Sequence, residues 1–321
     1  MKSTLFKAVA AAVLATTAFA VHAQFPDRPI RLVVPFPPGG TTDVVARQFA
    51  PKAAEILGQP IIIDNRGGAG GSIATDLVAK AAPDGYTLLM PTNSHTANPF
   101  IYRKLPFDTA KDFVGVALIG DSPGLFVVNP QVPVRSLKEF VTLAKKSNPP
   151  LRFGSAGAGT YPHLSTELFK QQAGIEMEHI AYKGAGPALV DLLGGIYEFK
   201  VEGSTTAAQH VRSGKLVALG VTSKERLPQM ADIPTVAEQG YPQYETNFWM
   251  GILVPAGTPK DVRAKLEAAF LKAVQDKEVA AKMEGSSVRV IGKSGAELDA
   301  LIEHELKLWP PIVKKAGITA N

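Results

Sequence analysis

The sequence predicts an α/β fold in which two domains close on each other like a clamshell, with parallel-rich sheets flanked by helices. Short β-rich runs alternate with helical patterns along the chain, which is the order that builds parallel sheets. Two glycine-rich turns, at residues 35–43 and 154–163, each follow an apolar run and precede a helical pattern. The chain has 321 residues, 45% apolar and 20% charged, which is enough to build the cores of two domains.

Local patterns place the strands and the helix ends. The β-rich runs fall at residues 30–34, 61–63, 86–90, 125–128, 151–153, 216–221 and 251–254. Ser136 and Ser294 are each followed three positions later by a glutamate, which is the capping-box spacing of a helix start. Thr258 precedes a proline that suits the first helical position. Glycine follows the helical patterns as a stop at Gly58, Gly174 and Gly194.

The order of these elements predicts two domains joined by two crossings. The first glycine turn has its own strands and helices up to residue 128, and the second has a set over residues 129–245. The tail from residue 246 adds one strand and two long helices, so it most simply rejoins the first domain. We therefore expect domain 1 at residues 24–128 plus 246–321, and domain 2 at residues 129–245.

Residues 1–23 have the pattern of a secretory signal peptide. Lys2 and Lys7 are followed by an apolar stretch over residues 8–21, which is too short to span a bilayer, and Val21-His22-Ala23 predicts cleavage after Ala23. The chain has no cysteine, so disulfides and thiol chemistry are excluded. Together these features predict a periplasmic protein. The formal net charge of +5 is spread along the chain without a basic cluster, so nucleic acid is not an expected partner.

The sequence motifs of catalysis and cofactor binding are incomplete. His304-Glu305 begins like a zinc-protease helix but lacks the second histidine, and Gly292-Lys293-Ser294 ends like a phosphate loop that has Ser287 where the first glycine belongs. No Gly-x-Ser-x-Gly motif is present, and the histidines do not have metal-ligand spacing. We therefore predict no catalytic residue, no metal and no cofactor.

The paired glycine turns favour binding over catalysis. A strand end, a glycine turn and a helix start together place free backbone N–H groups and the positive end of a helix dipole at one point. Two such points that face each other across a cleft would hold one small anion. The alternative is an exported hydrolase or isomerase that uses Ser155 or Asp43, with His163 as the nearby base.

A series of short motifs in a fixed order resembles the substrate-binding proteins of tripartite tricarboxylate transporters, the Bug family. The motifs include Phe25-Pro26-Asp27-Arg28-Pro29-Ile30, Val34-Pro35-Phe36-Pro37-Pro38-Gly39-Gly40, Pro83-Asp84-Gly85-Tyr86, Asp191-Leu192-Leu193-Gly194-Gly195 and Pro255-Ala256-Gly257-Thr258-Pro259. The resemblance implies a monomeric receptor with the Venus-flytrap fold of periplasmic binding proteins. Such a receptor closes on a small carboxylate and delivers it to the membrane permease subunits. A sensor subunit that presents its ligand to a membrane kinase is an alternative that the sequence leaves open.

The resemblance also implies which residues bind the carboxylate. They come from the two turns: Phe36, Pro38, Gly39, Gly40, Thr41 and Asp43 from the first, and Ser155, Ala156, Gly157, Gly159 and Thr160 from the second. Ser94 and His95 lie in a loop with which the family contacts the ligand's far end, and His163 could face the same pocket. Phe36 has ordinary core packing as its alternative, and an acid such as Asp43 is favoured in any first helical turn by the dipole.

Two segments keep alternatives open. Residues 67–71 form a glycine cluster that is either a flexible turn or backbone close to the ligand cleft. Residues 197–206 depart from the Phe-Asp-Asn pattern of many family members, and strand alternation puts Glu198, Lys200 and Glu202 on one face. Either that face is solvated, or Glu202 or Ser204 contacts the ligand. A Glu202 in the pocket would disfavour a second ligand carboxylate unless Lys200 or a proton compensates, and would favour an amine or a hydroxyl.

Overall fold

A computed structural model describes residues 25–319, which form a mixed α/β fold of two lobes. Its strands are β1 (Ile30–Val34), β2 (Ile61–Asn65), β3 (Thr87–Leu89), β4 (Phe113–Val128), β5 (Leu151–Ser155), β6 (Met177–Ala181), β7 (Phe199–Gly203), β8 (Val217–Val221), β9 (Asn247–Pro255) and β10 (Arg289–Ser294). Its helices are α1 (Thr41–Leu57), α2 (Ser72–Ala79), α3 (Asn93–Ala97), α4 (Leu137–Lys146), α5 (Tyr161–Ala173), α6 (Ala185–Leu193), α7 (Ser204–Arg212), α8 (Lys260–Gln275), α9 (Lys277–Gly285) and α10 (Gly295–Ala316).

The strands form two half-sheets that share β4. The first lobe has the order β2-β1-β3-β9-β4-β10, and the second has the order β6-β5-β7-β4-β8. The strands that carry the glycine turns are in parallel pairs, β1 with β2 and β3, and β5 with β6 and β7. Every pairing of β4 is antiparallel. The prediction of an α/β clamshell is confirmed, and the antiparallel centre makes its sheets mixed.

The strand predicted at residues 125–128 is only the end of β4, which begins at Phe113. Glycines, a proline and the polar pair Asp121-Ser122 make residues 115–124 resemble a loop in the sequence. In the structure Asp121 accepts hydrogen bonds from Arg289, and Ser122 contacts the Ser204 hydroxyl. These distant partners allow polar residues to lie inside a buried strand.

The chain changes from one half-sheet to the other inside β4. Residues 113–123 pair with β9, and residues 124–128 pair with β7 and β8. The chain thus passes from the first half-sheet to the second between residues 123 and 124, before the boundary predicted after residue 128. On the return, the Thr246 N–H donates to Thr222 of the second lobe, and Asn247 begins β9 in the first. The two crossings therefore lie side by side, with Pro123 opposite Asn247.

Most of the predicted helix ends are confirmed. The Ser136 hydroxyl accepts the Glu139 N–H, Ser294 and Glu297 form a complete capping box, and Gly58 and Gly174 end their helices in the left-handed conformation. The helix expected after Thr258 begins at Lys260, with Pro259 as its N-cap residue. The predicted signal peptide at residues 1–23 lies outside the described residues. Within residues 25–319 no helix has both the length and the apolar character needed to cross a membrane.

Each half-sheet is covered by helices on both faces. In the first lobe α1 and α8 pack on one face, where Phe49 and Phe270 meet edge to face, and α2 and α10 pack on the other. In the second lobe α4 and α5 cover one face around Phe126, and α6 and α7 cover the other. Helix α10 also reaches the second lobe, where Trp309 and Val313 share an apolar cluster with Leu164 of α5.

Replacement of Gly115 by alanine should strongly destabilise the fold. A Cβ on Gly115 of β4 would overlap the Gly295 carbonyl group at the start of α10, and the Gly115 N–H donates to Asp299 at 2.7 Å. Because both groups are on rigid elements, we expect Gly115→Ala to lower the free energy of unfolding by about 2 kcal/mol or more. The measurement is urea denaturation followed by circular dichroism.

The matched control is Gly285→Ala, at the end of α9, where a Cβ would meet no atom within 4 Å. It should change the free energy of unfolding by less than about 1 kcal/mol. Equal effects of the two substitutions would contradict the proposed close approach of β4 and α10.

Candidate functional site

The two glycine turns lie on opposite walls of one cavity of about 110 Å³ between the lobes. The first lobe contributes Phe36, Pro37, Pro38, Gly40, Thr41, Thr42 and Phe248, and the second lobe contributes Ala156, Thr160, Tyr161, Pro162, Ala185, Gly186, Pro187, Lys200, Glu202 and Gly203. The structure therefore brings together seven of the predicted site residues, namely Phe36, Pro38, Gly40, Thr41, Ala156, Thr160 and Glu202. Phe36 lines the cavity, so the interpretation of Phe36 as a pocket wall fits better than ordinary core packing.

The two helices that follow the glycine turns, α1 and α5, begin at this cavity with open N-termini. Gly40 of α1 and Thr160 of α5 are N-cap residues with extended backbone, and no described side chain caps either helix. The Thr160 hydroxyl instead donates to the Gly157 carbonyl at 2.7 Å, which tightens the second turn. Uncapped helix starts leave their first N–H groups without intrahelical partners, and the helix dipole is positive there. The cavity thus presents neutral donors from both lobes.

Asp43 lies behind the first turn. Its carboxylate accepts the Gly39 N–H at 3.0 Å and the Arg47 Nε–H at 3.1 Å, and its side chain is 5% exposed. Burial raises the pKa of Asp43, but the hydrogen bonds from Arg47 and Gly39 outweigh it and hold that pKa below its ordinary value. Gly39, with φ +86°, forms the bend that this carboxylate stabilises. Neither Gly39 nor Asp43 is among the cavity walls. Asp43 therefore fits the role of an acid that the helix dipole favours in the first turn better than the role of a ligand contact.

Ser155 and His163 support the second turn from behind. The Ser155 hydroxyl lies 3.1 Å from the Gly157 N–H and 2.7 Å from His179 Nε2. The His163 Nδ1 atom accepts the Gly159 N–H at 3.2 Å. Gly157 (φ +130°) and Gly159 (φ +72°) adopt conformations that side-chain-bearing residues avoid. Two of the predicted site residues therefore shape the turn and do not form the cavity wall.

His179 is a neighbour of Ser155 and His163 that no sequence pattern indicated. Its ring stacks on His163, with ring centroids 3.7 Å apart, and on Phe153. The contact arises because β6 pairs in parallel with β5, which sets Phe153 opposite His179. Since the two residues are far apart in sequence, their spacing gave no signal. Ser155 consequently pairs with His179. The hydrogen bond from Ser155 to His163 that the enzyme alternative required is not formed, because His163 Nδ1 accepts the Gly159 N–H.

Both stacked histidines are neutral near pH 7. Burial lowers the pKa of His163 to about 2, with smaller effects of the neighbouring His179 and Lys170, and burial beside Lys170 lowers the pKa of His179 to about 4. Neutral His163 keeps Nδ1 free to accept the Gly159 N–H. The shape of the second turn thus depends on the uncharged form of the pair.

Ser94, His95 and Ser204 do not line the cavity. Ser94 lies 3.1 Å from the Thr92 hydroxyl, and Ser204 donates to the Ser287 carbonyl. The His95 ring is buried edge to face against Phe113. Neither ring nitrogen has a hydrogen-bond partner within residues 25–319, and burial lowers the pKa of His95 to about 3. The short helix α3 turns Ser94 and His95 inward, which a loop prediction could not reveal.

Lys200 and Glu202 are cavity walls, and the solvated-face interpretation of this strand is wrong for them. The relative exposure is 0% for Lys200 and 2% for Glu202, and their side chains form an ion pair. Glu202 also accepts the Thr206 hydroxyl at 2.5 Å and the Gly203 N–H at 3.2 Å. Glu198, two positions before Lys200, pairs instead with Arg152 near the surface.

The glycine cluster at residues 67–71 lines a second, adjoining cavity of about 740 Å³. The opposite wall includes Ala156, Gly157 and Ala158 of the second turn. A Cβ on Gly70 would lie 3.0 Å from the Ala158 carbonyl oxygen, so the two loops approach backbone to backbone. This supports the interpretation of the cluster as backbone at the mouth of the cleft, and it places Gly157 beside the same opening.

The buried histidines should make the fold sensitive to mild acid. In the folded protein the lowered pKa values keep His95, His163 and His179 unprotonated, whereas in the unfolded chain these rings bind protons below pH 6.5. The free energy of unfolding is therefore highest above pH 6.5 and falls toward pH 4. We expect a loss of ~1.4 kcal/mol per pH unit for each ring. Urea denaturation at a series of pH values measures this slope.

One variant tests the assignment. His95→Leu should reduce the slope between about pH 6.5 and 5 by one proton. A slope that is the same in the wild type and in His95→Leu would show that His95 does not titrate as the structure implies.

Comparison with known proteins identifies the family of this chain. Residues 45–318 match the model of the tripartite tricarboxylate transporter family receptor. Protein BugT of Bordetella pertussis is 35% identical over 322 residues, which cover 99% of each chain. The solved structure of Rpa4515 from R. palustris with adipate has a TM-score of 0.86 at 34% identity, and it covers 92% of this chain and 99% of that one.

A second solved structure, MatC from Rhodopseudomonas palustris with bound malate, has a TM-score of 0.83 at 33% identity and covers 90% of this chain and all of its own. The two-lobed fold, the family match over most of the chain and the identity to BugT lead to one conclusion. The chain belongs to the tripartite tricarboxylate transporter receptor family, to which the Bug proteins also belong and whose members are substrate-binding receptors and not enzymes.

Proposed function

We propose that this protein is a periplasmic receptor that captures a small organic carboxylate between its lobes and delivers it to the permease of a tripartite tricarboxylate-type transporter. In this proposal residues 1–23 direct export and are removed. The mature receptor acts as a monomer, because each chain contains both walls of the cavity. The lobes correspond to residues 24–128 plus 246–321 and to residues 129–245, except that residues 124–128 pair within the sheet of the second lobe.

The observation that carries the proposal is the pair of uncapped helix starts on opposite walls of one cavity. A carboxylate placed there would accept N–H groups of the first turns of α1 and α5, directly or through water. Each lobe alone offers half of the donors, so a bound carboxylate favours the closed arrangement. Neutral donors also permit release, since a micromolar complex needs only about −8 kcal/mol.

The relatives support a carboxylate as the ligand. The two solved structures hold adipate and malate, and both compounds are small organic acids. In this chain the donors available for such a group come from the backbone, and the acid nearest the first turn, Asp43, is occupied by Gly39 and Arg47. An acidic ligand therefore meets no uncompensated carboxylate at that turn.

The route of the chain supports a hinge. The two strands that cross between lobes meet where Pro123 is opposite Asn247, and bending there moves the lobes without unfolding either half-sheet. Contacts across the cleft complete the closed form: a Cβ on Gly203 would lie 2.7 Å from the Thr41 hydroxyl. A permease that contacts both lobes would distinguish the loaded receptor from the empty one.

A ligand screen tests the receptor proposal. The mature chain, unfolded and refolded to remove bound ligand, should show a concentration-dependent rise in melting temperature with at least one small carboxylate and no turnover of it. Ala156→Phe, which fills the cavity from the second turn, should abolish that rise. Ala231→Phe, at an exposed position away from the cavity, is the matched control and should bind as the wild type does.

The delivery step needs a separate measurement. Loaded wild-type receptor should be retained by membranes that contain the permease subunits, and the Ala156→Phe variant should be retained less when the ligand is present. Binding of carboxylates without any ligand-dependent retention would leave a receptor whose partner is not this permease.

A further inference from the structure

The ion pair of Lys200 and Glu202 lines the cavity, and its unused hydrogen-bonding capacity identifies the ligand more closely. Both residues are on β7, two positions apart, so their side chains share a face. Both line the cavity, with relative exposures of 0% and 2%. A fully buried lysine in a ligand cavity is costly unless its charge and its protons are used.

The two partners differ in how far their hydrogen-bonding groups are occupied. One Glu202 oxygen accepts the Thr206 hydroxyl and the Gly203 N–H, and the other accepts Lys200. The Lys200 ammonium group has three N–H donors, and in the described part of the chain it donates one hydrogen bond, to Glu202. Two ammonium protons therefore remain for a ligand, whereas the carboxylate is largely committed to the protein.

The charge balance restricts what those protons can bind. Glu202 already neutralises Lys200, so a second ligand carboxylate would add an uncompensated negative charge beside the Glu202 carboxylate. A ligand ammonium group would approach Lys200 and find the Glu202 oxygens occupied. An uncharged oxygen, in a hydroxyl or a carbonyl group, accepts the Lys200 protons without disturbing the pair.

The apolar walls and the adjoining space define the body of the ligand. Phe36, Pro38, Tyr161, Pro187 and Phe248 supply broad apolar surfaces. The cavity of about 110 Å³ is smaller than the ~150 Å³ that holds one benzene molecule, but it shares Phe36, Pro37, Pro38 and Ala156 with the second cavity of about 740 Å³. A ligand whose body is a single ring or a short chain therefore extends from the first cavity toward the second.

We infer that the ligand is a monocarboxylate with an apolar body the size of one ring and a second, uncharged oxygen acceptor, to which Lys200 donates. This inference rests on the proposed receptor function, and it assigns Lys200 as the residue that determines specificity for that second oxygen. It separates this chain from relatives that hold the dicarboxylates adipate and malate.

The test compares carboxylates of one shape by calorimetry on the ligand-stripped mature chain. The probes are benzoate, 4-hydroxybenzoate, benzene-1,4-dicarboxylate and 4-(aminomethyl)benzoate, with hexanoate, 6-hydroxyhexanoate and adipate as the open-chain series. In at least one series the hydroxy acid should bind about tenfold or more tighter than the compound without the far oxygen and than the diacid. A wild-type preference for a diacid, an amino acid or an unsubstituted acid would overturn the inference.

Charge variants should reverse the preference between the hydroxy acid and the diacid, and loss of folding cannot produce such a gain of affinity. Glu202→Gln removes the neutralising carboxylate, so the free charge of Lys200 should raise the affinity for the matching diacid about tenfold. The double variant Lys200→Met with Glu202→Gln removes both charges and should bind the hydroxy acid and its unsubstituted counterpart within about twofold of each other. Melting temperatures of both variants report whether they fold.

The outcomes separate the two proposals. If no small carboxylate of any kind binds the stripped protein, the receptor proposal fails and this inference fails with it. If carboxylates bind but the preference does not depend on Lys200 and Glu202, the receptor proposal stands and only the inference is overturned.

Discussion

The structure depends on one constraint, which is that both half-sheets contain the same continuous strand. Residues 113–123 of β4 belong to the first lobe and residues 124–128 to the second, and β9 follows it closely on the return. Because the two lobes are fixed to one strand, their parallel edges end near each other. Ligands of open α/β sheets bind beyond the carboxyl ends of strands. The shared strand therefore places β1 with its turn and β5 with its turn on opposite sides of one cavity.

At the two glycine turns the charged groups are paired or absent. The full charges near the first turn, Asp43 and Arg47, neutralise each other and hold the turn in shape. Near the second turn, burial keeps His163 and His179 uncharged, so that they act as hydrogen-bonding supports. At the turns the donors left for a ligand are main-chain dipoles, which suit a receptor that has to release what it binds.

In the proposed receptor the glycine turns and β7 have different tasks. The turns offer the same backbone groups to any carboxylate, so they carry little information about the rest of the ligand. Strand β7 contributes the side chains of Lys200 and Glu202 to the cavity walls. Changing the residues of this one strand would thus alter specificity while the proposed anchor, hinge and closing motion remain the same.

The sequence by itself determined the α/β class, the two glycine turns, several helix ends and the family, because each of these depends on local patterns: apolar runs, capping boxes such as that of Ser294, and glycine at positive φ. It did not reveal that β4 begins at Phe113, that His179 stacks on His163, or that Ser94 and His95 turn away from the cavity. The burial of Lys200 and Glu202 was likewise undecided, since alternation defines a face but not what covers it. Only the tertiary structure settled these points, because each depends on which distant strand or helix lies next to the residue.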